Sequence, residues 1–407
     1  MSGYGLLGKK LGHSFSPQIH GLLGEYEYKL YERNEEELEG FIKEAGVTWQ
    51  GLNVTIPYKK AVIPYCDELS DRAKKIGSVN TLVYREGKLY GDNTDYYGFE
   101  CMVKKLGVSV AGKKAIILGN GGAAPTMRAV LLDMGAGEIV TISRSGEDNY
   151  ENIAKHYDAE IIVNTTPVGM YPKVGEKVIT LADFKKCEAV YDIIYNPLKT
   201  ALLLEAEELG IPYMNGLLML VAQAKLASEI FRNVKIDDSK IEDINAIIEA
   251  DVRNIMLIGM PGCGKSTIGK KLAEATGKIF VDVDAVIVER AGKSIPEIFA
   301  EEGETAFRQL ETEVFADLSK EKNQVIATGG GVVTRACNKQ LLRQNSIVVF
   351  IERAIEDLTI SGRPVSQAKP ATQIYAERIE FYRAYSDVSV ENVDVDETVK
   401  NILEVIK

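Results

Sequence analysis

The chain has 407 residues, 45% of them apolar and 26% charged, and 59 acidic against 48 basic side chains give a net charge of −11. That length exceeds one hydrophobic core, so two or three domains are expected, and the composition excludes a disordered chain. The acidic balance argues against a nucleic-acid or anionic-membrane surface, no apolar run approaches the ~18–20 residues that span a bilayer, and the five scattered cysteines (66, 101, 187, 263 and 337), with no C-x-x-C, suggest neither a disulfide framework nor a zinc site.

The amino terminus, Met1 to Leu7, lacks the basic and apolar segments of a leader, so a reducing cytoplasm is expected. The acidic stretch from Glu32 to Glu44 carries apolar Leu38, Phe41 and Ile42 and reads as a helix with a solvated face. Polar clusters then fall where short strands should end. Leu11 to Pro17 is rich in hydroxyls, and Asn53-Val-Thr-Ile-Pro-Tyr-Lys59 follows a short strand. Gly77 to Thr81 and Gly91 to Asp95 bracket a strand at Leu82 to Tyr84. Each cluster alone is turn chemistry; the group of them within the first hundred residues points to a site.

At Lys113 the pattern changes. Ala115 to Leu118 reads as a buried parallel strand, running into Gly119-Asn-Gly-Gly-Ala-Ala124 and a helix through Leu132. A second strand, Ile139 to Ile142, completes the start of a dinucleotide-binding βαβ unit. Gly119, Asn120, Gly121, Gly122 and Ala123 form its G-x-G-x-x-A pyrophosphate turn at the helix amino end. The second strand ends in Ser143-Arg144-Ser145. A carboxylate there would bind a ribose 2′-hydroxyl, whereas Arg144 favours a 2′-phosphate and hence NADP(H) over NAD. Further strands are predicted at Glu160–Val163 and Ala189–Ile193. Leu217, Leu220, Val221, Ala224 and Phe231 mark a helix with one apolar face, and the acidic stretch Lys235 to Asp243 with a helix through Ala250 is the predicted junction.

Gly259-Met-Pro-Gly-Cys-Gly-Lys265-Ser266 reads G-x-x-x-x-G-K-S between an apolar strand, Ile255 to Ile258, and a helical run, Thr267 to Thr276. Backbone N–H groups of Gly262, Cys263 and Gly264, on to Thr267, would cradle the phosphates of ATP, with Lys265 neutralising charge and Ser266 holding Mg²⁺. Phe280-Val-Asp282-Val-Asp284 is predicted as a strand whose alternate aspartates project to one side. The strand Val325–Thr328 leads into Gly329-Gly-Gly331, and another spans Ile347–Ile351. The loop Ser361–Pro370, with Arg363, reads as a movable lid, and a helix carries Arg378 and Tyr382. This is a P-loop α/β kinase layout, and the absence of H-R-D and D-F-G excludes a protein kinase.

These motifs together resemble two families. Residues 1–248 are similar to shikimate dehydrogenase through Gly12-His-Ser14-Phe-Ser16-Pro-Gln-Ile-His20, Asn53 to Lys59, Gly77 to Thr81, Asn93-Thr-Asp95, the Gly119 turn and Gly216-Leu-Leu-Met-Leu-Val-Ala-Gln223. Residues 252–407 are similar to shikimate kinase through the phosphate loop, Asp282-Val-Asp284, Gly303 to Arg308, Thr328 to Gly331, Arg363-Pro364 and Arg378 to Tyr382. The sequence departs from the family patterns at Gly21, in the short stretch Arg144–Asn164 with its Glu147-Asp148, and in Asp357–Gly362, which carries no basic residue.

The resemblance implies an α/β architecture. A shikimate-dehydrogenase-like substrate domain (1–98 and 222–248) and a Rossmann NADP domain (99–221) would precede a P-loop kinase domain with a parallel sheet (252–407). It implies NADPH-dependent reduction of 3-dehydroshikimate, then ATP- and Mg²⁺-dependent phosphorylation of shikimate. In the first half Ser14 and Ser16 would hold the substrate carboxylate, and Thr55, Asn80 and Gln223 its ring hydroxyls. Lys59 and Asp95 would be the catalytic pair, and Gly216 would line the cofactor site. In the second, Asp284 would orient the 3-hydroxyl and take its proton. Arg308 and Arg378 would clamp the carboxylate, and Gly330 and Gly331 lie close to the substrate. Lys265 and Arg363 would stabilise the transferring phosphoryl group, with Mg²⁺ on Ser266 and, through water, Asp282. Small-molecule substrates are the expected partners, with no nucleic acid and no membrane; the sequence leaves the oligomeric state open. Two other readings fit the same residues: a non-catalytic ligand sensor, or a quinate/shikimate dehydrogenase fused to another small-molecule kinase.

Overall fold

The alternating apolar residues of the first hundred positions build a six-stranded mixed sheet from β1 (Gly3–Gly8), β2 (Tyr28–Glu32), β3 (Trp49–Val54), β4 (Glu68–Leu69), β5 (Thr81–Arg85) and β6 (Lys88–Asp92), in the order β2-β1-β3-β5-β6-β4. Leu7, Trp49, Leu52 and Leu82 are fully buried and anchor its core. β1 runs parallel to β2 and β3, while β5 is antiparallel to β3 and β6. The strand expected at residues 82–84 is β5, and a second strand that was not expected, β6, pairs with it in a hairpin. Glu86 and Gly87 both take positive φ (50° and 80°), the two-residue turn whose twist suits paired strands. The turn is Glu-Gly rather than Asn-Gly, which hid the hairpin.

A second sheet is wholly parallel: β7 (Lys114–Leu118), β8 (Glu138–Ile142), β9 (Ile161–Asn164), β10 (Ala189–Asp192) and β11 (Tyr213–Met214), in the order β11-β10-β9-β7-β8. The apolar runs of β7, β9 and β10 are buried along their length, as strands covered on both faces require. The order reverses at β7, so the turn after β7 sits at a topological switch point. The boundary read between residues 221 and 222 falls inside the helix Leu217–Arg232, which runs unbroken through it.

The third sheet, β12 (Asn254–Ile258), β13 (Ile279–Asp282), β14 (Gln324–Ala327), β15 (Ser346–Glu352) and β16 (Val388–Glu391), is parallel in the order β13-β14-β12-β15-β16. The phosphate loop leaves β12, again where the order reverses. One expectation fails here. β13 stops at Asp282, and Asp284 already lies in the first turn of the helix Val283–Ala291. Asp282 caps that helix, its carboxylate accepting from Asp284 N at 3.1 Å. The two carboxylates are therefore related by a helix cap, not by the alternation of a strand.

The computed structural model describes residues 3–12, 14–358 and 369–406. They form two units: Met1–Met170, Glu176–Tyr195 and Glu205–Glu249 in the first, and Tyr171–Gly175, Asn196–Leu204 and Ala250–Lys407 in the second.

Candidate active sites

In the first unit, the ends of β1, β3 and β5 and the helices Ser16–Leu23, Asp95–Leu106 and Leu217–Arg232 gather the predicted polar residues. Ser14 Oγ donates to Ser16 Oγ at 3.1 Å, and Ser16 is buried. Thr55 leaves β3 with its N–H bonded to Leu7 O at 2.9 Å, which fixes the loop to Lys59. Lys59 Nζ donates to Asp95 Oδ2 at 2.6 Å, with both side chains largely shielded. Asn80 Oδ1 accepts from Thr94 N at 2.6 Å, and Asn80 Nδ2 donates to Gln223 Oε1 at 3.3 Å, joining the sheet to the helix Leu217–Arg232. The structure thus brings these seven residues around the carboxyl edge of one sheet.

Behind them lies a network that the sequence reading did not single out. Asn53 Oδ1 accepts from Tyr28 Oη at 2.8 Å and from His20 Nε2 at 3.1 Å, and Tyr28 also contacts the Ser16 hydroxyl. Burial drives the His20 pKa down to about 3, with the Asn53 hydrogen bond pulling the other way, which favours the neutral ring. No signal in the sequence separates this His from an ordinary core histidine.

The predicted pyrophosphate turn follows β7. Gly119 takes φ 96°, and a Cβ there would press on Thr166 Cγ2 at 2.9 Å, so only glycine fits. Around Gly121 and Gly122 a Cβ would meet nothing within 4 Å. The helix Ala124–Asp133 has Ala123 at its amino end, which no side chain caps. Open space in front of uncapped N–H groups suits a pyrophosphate. Asn120 and Arg144 are exposed on the same sheet edge. Of the acidic pair beside Arg144, Asp148 is tied to His156, its Oδ1 lying 2.9 Å from Nε2. Gly216 has a packing reason of its own: its N–H donates to Ile194 O at 2.9 Å, and a Cβ would run into the Ile193 carbonyl.

In the second unit a cavity of about 660 Å³ runs from the phosphate loop to Arg308 and Arg378. Gly262 and Gly264 hold φ of 83° and 101°, turning the loop's N–H groups inward. Buried Cys263 is fastened by Asn392 Nδ2, which donates to its carbonyl at 2.7 Å. Lys265 Nζ donates to Gly259 O and Met260 O at 2.9 and 3.0 Å, curled over its own loop. Ser266 Oγ donates to Asp282 Oδ2 at 2.6 Å, and Thr267 lines the cavity beside them. Hydroxyl and carboxylate oxygens so paired suit Mg²⁺, which takes few protein ligands and fills its shell with water and phosphate. Among the described residues no cluster of three or more His, Cys, Asp or Glu could hold a metal by itself.

Asp284 lines the same cavity. Arg378 Nη1 donates to Gly330 O at 2.9 Å, and Gly331 lies against the Arg308 guanidinium, where a Cβ would collide. Glu311 was not foreseen. It is fully buried, accepts from Arg308 Nη1 at 2.7 Å and leaves Oε1 without a partner. Its position one helical turn after Arg308 was the available signal. Arg363 lies outside the described residues.

A shikimate dehydrogenase substrate binding domain matches residues 6–82, and a shikimate kinase domain matches residues 261–407. The shikimate dehydrogenase (NADP(+)) of Clostridium beijerinckii is 38% identical over 271 residues, covering 62% of this chain and 100% of its own. The chain belongs to the shikimate dehydrogenase family, with a shikimate kinase domain following. A chorismate mutase/shikimate 5-dehydrogenase fusion protein from Clostridium acetobutylicum superposes with a TM-score of 0.59 at 37% identity, over 61% of this chain and 97% of that one. The shikimate 5-dehydrogenase of Thermus thermophilus, solved with NADP(H) and shikimate, gives 0.55 at 30% identity over 61% of this chain and 99% of that one. Both relatives align with the dehydrogenase portion. Two enzyme activities of the shikimate pathway, a dehydrogenase and a kinase, reside in this one polypeptide.

Proposed function

We propose that the first unit reduces 3-dehydroshikimate to shikimate with NADPH, and that the second transfers the γ-phosphoryl group of ATP, with Mg²⁺, to the new 3-hydroxyl. NADPH supplies the hydride when bound; the chain's residues do the rest. Ser14 and Ser16 receive the substrate carboxylate, and Thr55, Asn80 and Gln223 the ring hydroxyls. The oxygen that gains charge as the carbonyl is reduced needs a proton, and the Lys59 ammonium, held by Asp95 at 2.6 Å, gives it. In the second unit Arg308 and Arg378 offer planar donors to a carboxylate, and Asp284 accepts the proton of the attacking hydroxyl. Lys265 uncurls from Gly259 O and Met260 O to meet the phosphates, joined by Arg363.

The observation that carries this reading is the single cavity of about 660 Å³ joining the phosphate loop to the two arginines. The proposed partners are small molecules alone. All five cysteines are free thiols, in keeping with a reducing cytoplasm. One assay tests the whole. The full chain is given 3-dehydroshikimate, NADPH, ATP and Mg²⁺, and NADPH loss and ADP release are followed together. ADP release that waits on NADPH oxidation is the expected result. Folded protein that shows neither signal would leave the sensor reading in its place.

A further inference from the structure

A phosphate loop works only if its peptide planes are turned the right way, since each plane can aim an N–H or a carbonyl at an anion. Among the described residues, two side chains are hydrogen-bonded to the backbone of residues 259–264. One is Lys265, on the Gly259 and Met260 carbonyls. The other is Asn392, which directly follows β16 and donates from Nδ2 to Cys263 O at 2.7 Å. Asn392 is buried and held from two sides. Its N–H donates to Glu352 O at 2.7 Å, and its Oδ1 lies 3.2 Å from Thr398 Oγ1 in the helix Val395–Val405. The amide packs against the loop so closely that a Cβ on Gly264 would stand 2.5 Å from Nδ2.

We propose that Asn392 is a positioning residue for the kinase reaction, fixing the Cys263–Gly264 peptide so that its N–H faces the phosphates of the nucleotide. This rests on the kinase reading given above. The peptide is trans, and the carbonyl and N–H of a planar trans peptide point in opposite directions. With Cys263 O drawn to Asn392, Gly264 N–H is turned away from it. Gly264 lines the phosphate cavity and Asn392 does not. The helix Lys265–Thr276 that follows has no side-chain cap, so its amino end is left to an anion. The reversed plane would set a carbonyl, a dipole of the wrong sign, against the phosphates. Gly264 has no Cβ to bias its φ, so local sterics do not choose between the two planes; a side-chain anchor does. Once Lys265 turns to the phosphates, Asn392 is the hold that remains on the loop backbone.

The test uses the full chain with Asn392→Leu, which keeps the branched shape and loses the donor. Affinities for Mg²⁺–ADP, for adenosine, which has no phosphate, and for shikimate are measured by calorimetry, and the KM for ATP by kinase assay. One misdirected charge-assisted hydrogen bond predicts Mg²⁺–ADP affinity and ATP KM worse by about tenfold or more, with adenosine and shikimate affinities unchanged. Mg²⁺–ADP affinity equal to that of the unaltered chain, in a variant that still binds shikimate, overturns the inference. An equal loss for ADP and adenosine also overturns it, since the effect would then not lie at the phosphates. If Asn392→Leu no longer binds shikimate, Asn392→Ala decides by the same criteria. An unaltered chain that binds Mg²⁺–ADP but turns over no ATP would remove the kinase reading, and the binding comparison would still decide the role of Asn392.

Discussion

Lys59 and Asp95 form a shielded ion pair at 2.6 Å although they lie on separate elements. Two features hold them together. The Lys59 carbonyl accepts from Val79 N at 2.8 Å, which anchors the loop, and Asp95 opens the helix Asp95–Leu106, whose amino end favours a carboxylate. The proposed role of Lys59 as proton donor predicts a clean separation of the two activities. Lys59→Met should lower the dehydrogenase kcat by roughly 10²–10⁴-fold, the usual worth of a positioned acid. ATP-dependent phosphorylation of added shikimate should be unchanged. A residual NADPH oxidation rate near that of the unaltered protein would rule Lys59 out as the donor.

Glu311 presents a trade between stability and activity. Burial pushes its carboxyl pKa up, Arg308 pulls it back, and Asp284 pushes it further up. A group with a raised native pKa is favoured in its neutral form, so its ionisation at pH 7 costs folding energy. Glu311→Gln removes that charge and keeps the side chain's size. The thermal transition of the kinase unit at pH 7 should rise, and the difference should shrink as the pH falls towards the ordinary carboxyl range. The same change frees the Arg308 guanidinium from its 2.7 Å partner. The KM for shikimate should therefore rise by about tenfold, the cost of one charged hydrogen bond. A variant less stable at pH 7 would contradict the electrostatic argument.

What the sequence disclosed follows from the physics of each element. The two glycine turns were legible because a strand, a turn with positive φ and an uncapped helix leave residue types behind: Gly119 and Gly264 can hardly be anything else. The Lys59–Asp95 pair was legible as residue types, but not its geometry, since 36 positions separate them. Asp284 was placed on the wrong element because Asp282 as a helix cap and Asp282 as the end of a strand look alike in sequence. Glu311 offered only its spacing from Arg308, and His20 only its place in a motif; neither told its role. Their importance comes from burial and from neighbours distant in the chain, which local pattern does not encode.

Gly216 tests packing rather than chemistry. Its position against the Ile193 carbonyl lets the helix Leu217–Arg232 start close against the residue that follows β10. Gly216→Ala would force backbone against backbone, and neither side can swing away. We expect a loss of about 1–3 kcal/mol, the usual cost of overpacking. The only tryptophan, Trp49, is fully buried in the first unit, so its fluorescence reports unfolding there. Kinase activity should survive the change. An unshifted fluorescence transition would show that the helix start can yield.

The pH dependence of the first unit should bear the mark of His20. Its ring is sealed, with Nε2 on Asn53 Oδ1, Tyr26 Oη 2.6 Å from Nδ1, and Tyr28 stacked at 3.9 Å. Burial sets its pKa at about 3 in the folded chain, against 6.5 when exposed. Between those values the unfolded chain takes up a proton that the native one refuses. Stability is therefore fully present above pH 6.5 and declines as the pH falls towards 3, by up to about 1.4 kcal/mol per pH unit from this group. His20→Gln keeps a polar group beside Asn53 and removes the titration. Urea unfolding followed by Trp49 fluorescence between pH 7.5 and about pH 5 should show a shallower acid loss in the variant than in the unaltered chain. Parallel curves would mean that His20 is protonated in the native protein, and that the network around Asn53 tolerates a charge.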